Sequence, residues 1–360
     1  MTDHREHTAG TEDLANYYHP QPIDTLAFFM TSVCPLHCDH CAVDAGNEPE
    51  SVQPDWESIN AWFKDINDSH LISQVNITGG EPFAVFDRLK RLVEIISNNG
   101  LEVTVNSSGY WATDPGKAGR QLEPLAQKGL KTLYLSISDY HRQQVPVDNV
   151  LLAIDEASNL GISIGILYQY HGDKDRQSVF NEIKEILGAD KAKKVRYLNA
   201  GPILAMGRAS GRFEPGLFQA NDRNRYCQNI SPTLHLNGDF NACCGDRLPV
   251  DSPLRLGNLK AHPFKHLMNR LRCSLYLPFM AFIGLDETIR YLRENEIALP
   301  ELDQIPRHEM CGCCQAILKN PAVTRFLEGD IPALYRQEMN LKQIILYGRN
   351  VFPGDTDAND

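Results

Sequence analysis

Short apolar runs alternate with segments of helical period between Ile23 and about Met206. The apolar runs have the length and composition of buried strands, and they predict strands at Thr25–Met30, Gln74–Ile77, Glu102–Asn106, Thr132–Ser138, Ser163–Tyr168 and Lys194–Leu198. A helical segment is expected after each of the first five strands, and four are bounded at Trp56–Ile66, Phe86–Ser97, Val150–Leu160 and Val179–Leu187. Strand and helix repeated in this way predict a parallel sheet with crossover helices.

Six strand–helix units are too few for a closed eight-fold barrel, so the expected fold class is α/β, an open and partial (β/α)6 parallel barrel. Such folds place their chemistry at the C-terminal ends of the strands. Polar residues gather at those ends in this chain. They include Thr78–Pro82 after the second strand, Asn106–Gly109 after the third, Ser136–His141 after the fourth and Pro202–Ala209 after the sixth.

Beyond Ala209 the alternation stops, and a smaller α+β region with C-terminal helices is expected. Residues 233–242 predict a β-hairpin, because Asn237-Gly238 supplies the tight turn. Helical patterns follow at Asp286–Asn295, Ala322–Leu327 and Leu334–Tyr347. The predicted organisation is therefore a flexible arm at 1–22, a core at 23–210, a smaller domain at 211–320, a helical segment at 321–352 and an acidic tail at 353–360.

The loop after the first strand carries three cysteines, in the stretch Cys34-Pro-Leu-His-Cys38-Asp-His-Cys41. Three thiolates on one loop suit three irons of a [4Fe–4S] cluster and leave the fourth iron without a protein ligand. A zinc site completed by His37 or His40, a disulfide pair and free core thiols are the alternatives.

Composition narrows the classes of function. The chain has 360 residues and ten cysteines, and its N-terminal stretch has no signal-peptide pattern. A cytoplasmic location is expected, in which cysteines bind metals more often than they form disulfides. The net charge of −11 argues against nucleic acid as the main partner. No run is long and apolar enough to predict a membrane span.

The cysteine loop after the first strand and Gly79-Gly80-Glu81-Pro82 after the second together resemble the radical S-adenosylmethionine (SAM) enzymes. The resemblance implies that Cys34, Cys38 and Cys41 hold a [4Fe–4S] cluster whose open iron binds SAM. It implies that Gly79, Gly80 and Glu81 bind the methionine amino group of SAM. Ser136 or Ser138 would contact its ribose or carboxylate. Asn106 and Met206 would also bind the cofactor at the same edge of the sheet. The residue before the last cysteine, usually aromatic and near the adenine, is here His40.

Seven cysteines lie in the second half of the chain. Cys227 and Cys243 flank the predicted hairpin, and Cys311 and Cys314 form a Cys-x-x-Cys. This set resembles the SPASM or twitch extension of radical SAM enzymes, although the longer second run of SPASM cysteines is missing. The resemblance implies one auxiliary Fe–S cluster, with a structural zinc site as the alternative. The spare cysteines are either buried apolar residues or hydrogen-atom donors to a substrate radical, and they are Cys244, Cys273 and Cys313.

The family implies reductive cleavage of SAM to a 5′-deoxyadenosyl radical that takes a hydrogen atom from substrate. Peptide modification by oxidation, cross-linking or epimerisation is the first expectation, and a small metabolite such as a sugar or amino acid is the alternative substrate. The expected partners are an electron donor such as flavodoxin or ferredoxin and a separate leader-peptide-binding protein. A non-catalytic Fe–S electron carrier or zinc-binding module is the competing class.

Overall fold

A computed structural model describes the chain at residues 23–46, 52–170, 176–203, 206–209, 212, 227, 231–243, 248, 252–273, 276–278, 280, 283–300, 302 and 310–326. The predicted N-terminal arm, the predicted helix Leu334–Tyr347 and the acidic tail lie outside these residues. No helix in the described part of the chain combines the length and the apolar character needed to cross a membrane.

Six parallel strands, adjacent in chain order, make up most of one sheet. They are β1 Thr25–Phe29, β2 Gln74–Thr78, β3 Glu102–Ser107, β4 Leu130–Ser136, β5 Ser163–Tyr170 and β6 Val195–Pro202. The intervening helices are α1 Trp56–Ser69, α2 Phe86–Asn98, α3 Pro115–Gln127, α4 Asp139–Arg142, α5 Val147–Asn159 and α6 Arg176–Ala192. The predicted strand–helix alternation is thus observed. α3 is the expected helix for which the sequence predicted no boundaries. The fourth bounded helix was predicted to end at Leu187, whereas α6 continues to Ala192 across a non-helical residue, Gly188, at φ 74°.

The strands alternate between an apolar face covered by helices and a more polar face. On β1, Leu26 and Phe28 are fully buried, and the Phe28 ring meets Phe63 of α1 edge-on at 5.3 Å. On the other face of β2, Asn76 donates hydrogen bonds to Thr104 and Asn106 of the next strand. A ligand bound on this polar face of the sheet would therefore meet hydrogen-bonding side chains.

The predicted hairpin extends the same sheet. It consists of β7 Thr233–His235 and β8 Asp239–Asn241, and β9 Arg255–Asn258 pairs with β8. β7 pairs in parallel with β1, so that the sheet runs β6-β5-β4-β3-β2-β1-β7-β8-β9. The C-terminal ends of β1 and β7 therefore lie at the same edge, which joins the second half of the chain to the strand before the cysteine loop.

The remaining helices are α7 Phe264–Cys273, α8 Tyr276–Pro278, α9 Leu285–Glu294, α10 Met310–Lys319 and α11 Pro321–Arg325. The predictions at Asp286–Asn295 and Ala322–Leu327 correspond to α9 and α11. α7 and α10 were not predicted as separate helices. α7 packs against α1 and β9, and its Phe264 ring lies 5.6 Å from that of Phe240 of β8.

Candidate functional site

The three loop thiols lie directly after β1 and are surrounded by polar donors. Cys38 is buried, and Cys34 and Cys41 are partly exposed. The backbone N–H of Ala45 points to the Cys41 sulfur at 3.4 Å, and the side-chain amide of Gln144 points to the Cys38 sulfur at 3.5 Å. N–H groups directed at sulfur are typical of thiolates that ligate an Fe–S cluster. The donor set therefore fits the cluster expected here.

The thiols of this loop also raise one another's pKa. Burial raises the pKa of Cys34 to about 11, and the charges of Glu81 and Cys41 add to the effect. Burial, followed by the proximity of Cys34 and Cys41, raises the pKa of Cys38 to about 12. A positively charged metal centre offsets this cost, because thiols lose their protons when they bind a metal. Without such a centre, the loop is unfavourable as a set of free thiolates.

The two adjacent glycines after β2 allow the backbone to touch the cysteine loop. The N–H of Gly80 donates to the Thr31 carbonyl at 2.6 Å, and the N–H of Glu81 donates to the Val33 carbonyl at 2.8 Å. A Cβ atom on Gly80 would lie 2.2 Å from the Val33 oxygen, closer than side-chain carbons approach backbone oxygens. Gly79 has φ +138° and faces Thr31 in the same way. The two glycines therefore allow the turn to pack against the backbone segment that leads into Cys34.

The Glu81 side chain is buried and its carboxylate is surrounded by donors. One oxygen accepts from the Ser107 hydroxyl at 2.9 Å and the Phe83 N–H at 3.2 Å. The other accepts from the Ser108 N–H at 2.8 Å and the Ser108 hydroxyl at 2.5 Å. Burial raises the pKa of Glu81, while these hydrogen bonds oppose the shift. The sequence predicted an acceptor for a ligand amine, and the structure shows a carboxylate that also ties β3 to the glycine turn.

Arg208 is a site residue that sequence reasoning missed. Its buried guanidinium donates to the Cys38 carbonyl at 3.0 Å, to Asp44 at 3.1 Å and to the Ala45 carbonyl. Its backbone N–H donates to the Cys41 carbonyl at 2.9 Å. The preceding Gly207 has φ +55° and lies so close that a Cβ would be 2.4 Å from the Ala42 oxygen. The Gly-Arg-Ala turn after the sixth strand was the available signal.

His40 lies in a cluster of rings and hydroxyls at the end of β4. It is 4% exposed, stacks on Tyr140 at 4.8 Å and meets His141 edge-on at 4.6 Å. The Ser138 hydroxyl lies 2.6 Å from His141 Nδ1 and 3.4 Å from His40 Nε2. Burial lowers the pKa of His40 to about 4 and that of His141 to about 3. The structure thus brings together two of the predicted cofactor-binding residues, His40 and Ser138, beside Cys41.

The other predicted cofactor-binding residues lie along the same edge of the sheet. Asn106, near the end of β3, donates to Thr78 at 3.4 Å. Ser136 is the last residue of β4 and is partly buried. Met206 precedes the Gly207–Ala209 turn, and its carbonyl accepts from the Ala209 N–H. Their positions follow from strand order, since parallel strands bring their C-terminal ends to one edge.

A second group of thiols gathers Cys227, Cys243, Cys311 and Cys314. Cys311 and Cys314 are one turn apart on α10, and helical spacing places them on the same face. Burial raises the pKa of both, and the nearby charges of Cys227 and Cys243 raise it further. The buried Tyr276 hydroxyl donates to the Cys314 sulfur at 2.9 Å. Four thiols from distant parts of the chain are therefore within electrostatic range of one another.

The three spare cysteines have different positions. Cys313 is 3% exposed and lies on α10 next to Cys314. Cys273 ends α7, and its side chain lies outside the described residues, as does all of Cys244. Among the described residues, no three His, Cys, Asp or Glu side chains converge on a point where they could share one metal ion.

The sequence model of the Radical SAM superfamily matches residues 28–183, a segment that includes the loop cysteines, the glycine turn and Ser138. The match covers less than half of the chain. The chain is 23% identical over 306 residues to "Putative peptide biosynthesis protein YydG" of Bacillus subtilis (strain 168), and the match covers 82% of this chain and 92% of YydG. Both similarities support a radical SAM enzyme.

Solved structures with similar folds share little sequence with the chain. The structure described as native anSMEcpe with bound AdoMet and Cp18Cys peptide matches with a TM-score of 0.46 and 13% identity, over 89% of this chain and 96% of that one. BtrN in complex with AdoMet and 2-DOIA matches with a TM-score of 0.42 and 12% identity, over 72% of this chain and 88% of that one. At these values the likeness assigns no function.

Proposed function

We propose that this protein is a radical SAM enzyme that modifies a peptide. The observation that carries the proposal is the cysteine loop, which is held between the Gly79-Gly80 turn and Arg208 and lies within the segment that matches the Radical SAM superfamily model. Cys34, Cys38 and Cys41 would hold a [4Fe–4S] cluster with SAM at its open iron. When bound, cluster and SAM together supply a 5′-deoxyadenosyl radical, which removes a hydrogen atom from the substrate.

The chain's own residues hold and shield this site. Arg208 and the glycine turn fix the backbone on both sides of the thiols. We assign Gly79, Gly80 and Glu81 to the methionine end of SAM, and His40 with Ser136 or Ser138 to its adenosine end. Asn106 and Met206 line the same edge. Burial of His40 keeps its imidazole neutral, which leaves a nitrogen able to accept or donate a hydrogen bond without adding charge.

The second thiol group supports an auxiliary Fe–S cluster in a SPASM- or twitch-like region at 211–320. Cys227, Cys243, Cys311 and Cys314 would supply four thiolates, and Tyr276 donates a hydrogen bond to one of them. Iron and sulfide analysis after anaerobic reconstitution tests this assignment. Two four-iron clusters give about eight irons per chain. A value near four, or zinc bound in place of iron, would remove the auxiliary cluster from the proposal.

A peptide substrate is supported by the similarity to YydG, whose name refers to peptide biosynthesis. We infer oxidation or cross-linking if the auxiliary cluster accepts an electron, and epimerisation if a cysteine returns a hydrogen atom. Cys244, Cys273 and Cys313 are the candidate donors, and epimerised product lost on single replacement by alanine would identify one. Flavodoxin or ferredoxin would supply electrons, and a separate protein would bind a leader peptide. We place the enzyme in the cytoplasm, where its thiols stay reduced.

A small metabolite is the second candidate substrate, and a non-catalytic Fe–S carrier or zinc module is the competing class. The decisive assay is anaerobic reconstitution followed by dithionite and SAM, with 5′-deoxyadenosine measured by chromatography. Wild type should form it, and Cys34→Ala, Cys38→Ala and Cys41→Ala should not. No 5′-deoxyadenosine from fully reconstituted wild type, with or without candidate peptides, would reject the enzyme in favour of a carrier.

A further inference from the structure

A cleft of about 310 Å³ lies beside the cysteine loop, between the C-terminal ends of β1 and β7. We call it the hairpin cleft. Its walls include apolar side chains such as Phe29 and Leu236, and polar ones on the hairpin and β9, namely His235, Asp239, Asn241 and Arg255. Its volume lies at the lower end of the range for small-ligand sites, roughly 300–1,000 Å³. It can therefore hold a short segment of a peptide and not a folded domain.

Two buried polar atoms on the inner face of the hairpin have no partner among the described residues. They are the side-chain oxygen of Asn241, which is 4% exposed, and the hydroxyl of Thr233, which is 2% exposed. The two residues lie directly opposite each other in the β7–β8 register and so share one face. Unsatisfied buried polar groups are rare in native structures because each is destabilising. Asn241 lines the cleft and Thr233 does not, so the Asn241 oxygen is the unsatisfied atom that a ligand in the cleft can reach.

One end of the Asn241 side-chain amide already has a hydrogen-bond partner. Its nitrogen lies 2.9 Å from His235 Nε2, so one end of the amide is fixed by the hairpin and the other end is left for a ligand. If the nitrogen and oxygen of this side chain are exchanged, the other atom bonds His235, and one atom of the amide is still without a partner. The cleft therefore offers one unsatisfied amide atom, held in place by the other end of the same side chain.

The charged residues of the cleft leave hydrogen-bond donors available. The Asp239 carboxylate accepts from the side-chain amides of Asn237 at 2.8 Å and Asn258 at 2.9 Å, and from Arg255 at 3.3 Å. Among the described residues, the Arg255 guanidinium donates its side-chain hydrogen bond to Asp239. A guanidinium has five N–H donors. Asp239 is thus compensated, while Arg255 retains donors for a carbonyl oxygen.

The cleft shares a wall with the proposed radical site. Thr31 and Ser32 line it, and they directly precede the segment that leads into Cys34. The Thr31 carbonyl is the acceptor for the Gly80 N–H at 2.6 Å, so the same short segment supports the glycine turn. A molecule held in the cleft lies next to the loop that would carry the cluster.

We propose that the hairpin cleft binds a main-chain peptide group of the substrate, an inference that rests on the proposed function. The peptide C=O would accept from Arg255, and the peptide N–H would donate to Asn241. The neighbouring apolar walls suit the side chain of the same residue. A sugar presents hydroxyl groups on all sides and would leave several of them against Phe29 and Leu236 without partners.

Saturation-transfer NMR on the anaerobically reconstituted full chain tests this assignment. The probe is an equimolar pool of N-acetylated, C-amidated tripeptides with Val, Leu or Phe at the centre, compared with glucose and inositol. Wild type should bind the peptides and not the sugars. Asn241→Leu and Arg255→Met should each weaken binding by about tenfold, as expected for one lost hydrogen bond. Thr324→Val on α11, outside the cleft, is the matched control and should bind as wild type does.

Arg255→Met keeps the test valid if Asn241→Leu fails to fold. The Arg255 side chain is 32% exposed, and Asp239 keeps its hydrogen bonds from Asn237 and Asn258, so this variant should stay folded while binding peptide more weakly. Wild-type binding of sugars but not peptides, or equal peptide binding by wild type and Arg255→Met, would overturn the cleft assignment. Formation of 5′-deoxyadenosine by wild type with no effect of Arg255→Met on peptide binding rejects the cleft alone. Absence of 5′-deoxyadenosine in wild type rejects the proposed function.

Discussion

The guanidinium of Arg208 donates a hydrogen bond to the main-chain oxygen of Cys38, with 3.0 Å between Nη1 and that oxygen. The two residues are 170 positions apart, and Arg208 is 8% exposed. The same guanidinium also bonds Asp44 and Ala45 on the far side of the three thiols. The end of the sixth strand–helix unit therefore holds the loop that follows the first strand.

Arg208→Met should destabilise the protein and loosen the first cluster. The methionine fills similar space but leaves the Cys38 and Ala45 carbonyls and Asp44 without their donor, so a loss of about 3 kcal/mol in the free energy of unfolding is expected. Chemical denaturation of the metal-free chain measures that loss. Iron analysis after reconstitution should show the first site depleted while the second site keeps its iron.

Arg212→Met provides the matched control. Arg212 pairs with Asp39 of the same loop, but both side chains are about half exposed. Exposed ion pairs contribute about 0–1 kcal/mol, so this variant should keep wild-type stability and iron content. Equal iron content in both variants would contradict the clamping role of Arg208.

Gly80→Ala should damage the same loop from the other side. The added Cβ would lie 2.2 Å from the Val33 oxygen, whereas a Cβ on Gly46 meets nothing within 4 Å. Overpacking of this kind costs about 1–3 kcal/mol. We expect Gly80→Ala to lose stability and to bind less iron at the first site, and Gly46→Ala to do neither. A wild-type iron content in Gly80→Ala would show that the glycine turn does not support the loop.

Tyr276→Phe should lower the reduction potential of the auxiliary cluster. The Tyr276 hydroxyl donates to the Cys314 sulfur at 2.9 Å, and burial holds the phenol pKa well above its ordinary value. A donor to a ligating sulfur stabilises the reduced, more negative cluster. Its loss should shift the potential down by about 60 mV if the relative stability of the two redox states changes tenfold. Redox titration followed by EPR measures the shift, and the first cluster is the internal control.

His141 should make the protein less stable in acid. Burial, followed by the nearby charge of His40, lowers its pKa to about 3. An unfolded histidine titrates near pH 6.5, so between that pH and about 3 the unfolded chain binds a proton that the folded chain does not. Stability should therefore fall as the pH drops through this window, by about 1.4 kcal/mol per pH unit for one such group.

Denaturation of the metal-free chain at several pH values tests whether the free energy of unfolding falls as the pH drops. His141→Phe should show a shallower fall between pH 6.5 and 4 than wild type, whatever its stability at neutral pH. Tyr140→Phe, which keeps the stacked ring and does not titrate in this window, should fall as steeply as wild type. The same slope in His141→Phe and wild type would contradict the buried, neutral histidine.

Local sequence patterns were sufficient to predict β1–β6 and most of their helices, because each strand is a short apolar run followed by a helical period. The hairpin was predicted as well, since Asn237-Gly238 specifies its turn. Its place in the sheet was not. β7 pairs with β1 across more than two hundred residues, and no local pattern specifies a pairing at that distance.

The two proposed ligand sets follow from cysteine spacing, which constrains metal chemistry directly, and they stay predictions. The surroundings of those ligands were less predictable. A buried arginine such as Arg208 looks in sequence like a surface one, and Glu81 gave no sign that Ser107 and Ser108 would surround its carboxylate. Tyr276 reaches Cys314 only through the packing of two helices. These contacts depend on tertiary structure and not on spacing.

The claim at the centre of this account is that three thiolates, and not four, hold the first cluster, which leaves one iron for SAM. A Cys311→Ala/Cys314→Ala variant isolates that cluster from the auxiliary one. Its low-temperature EPR spectrum, recorded after anaerobic reconstitution and dithionite reduction, should change when SAM is added and should not change when adenosine is added. An identical spectrum with and without SAM, in this variant and in wild type, would contradict the account.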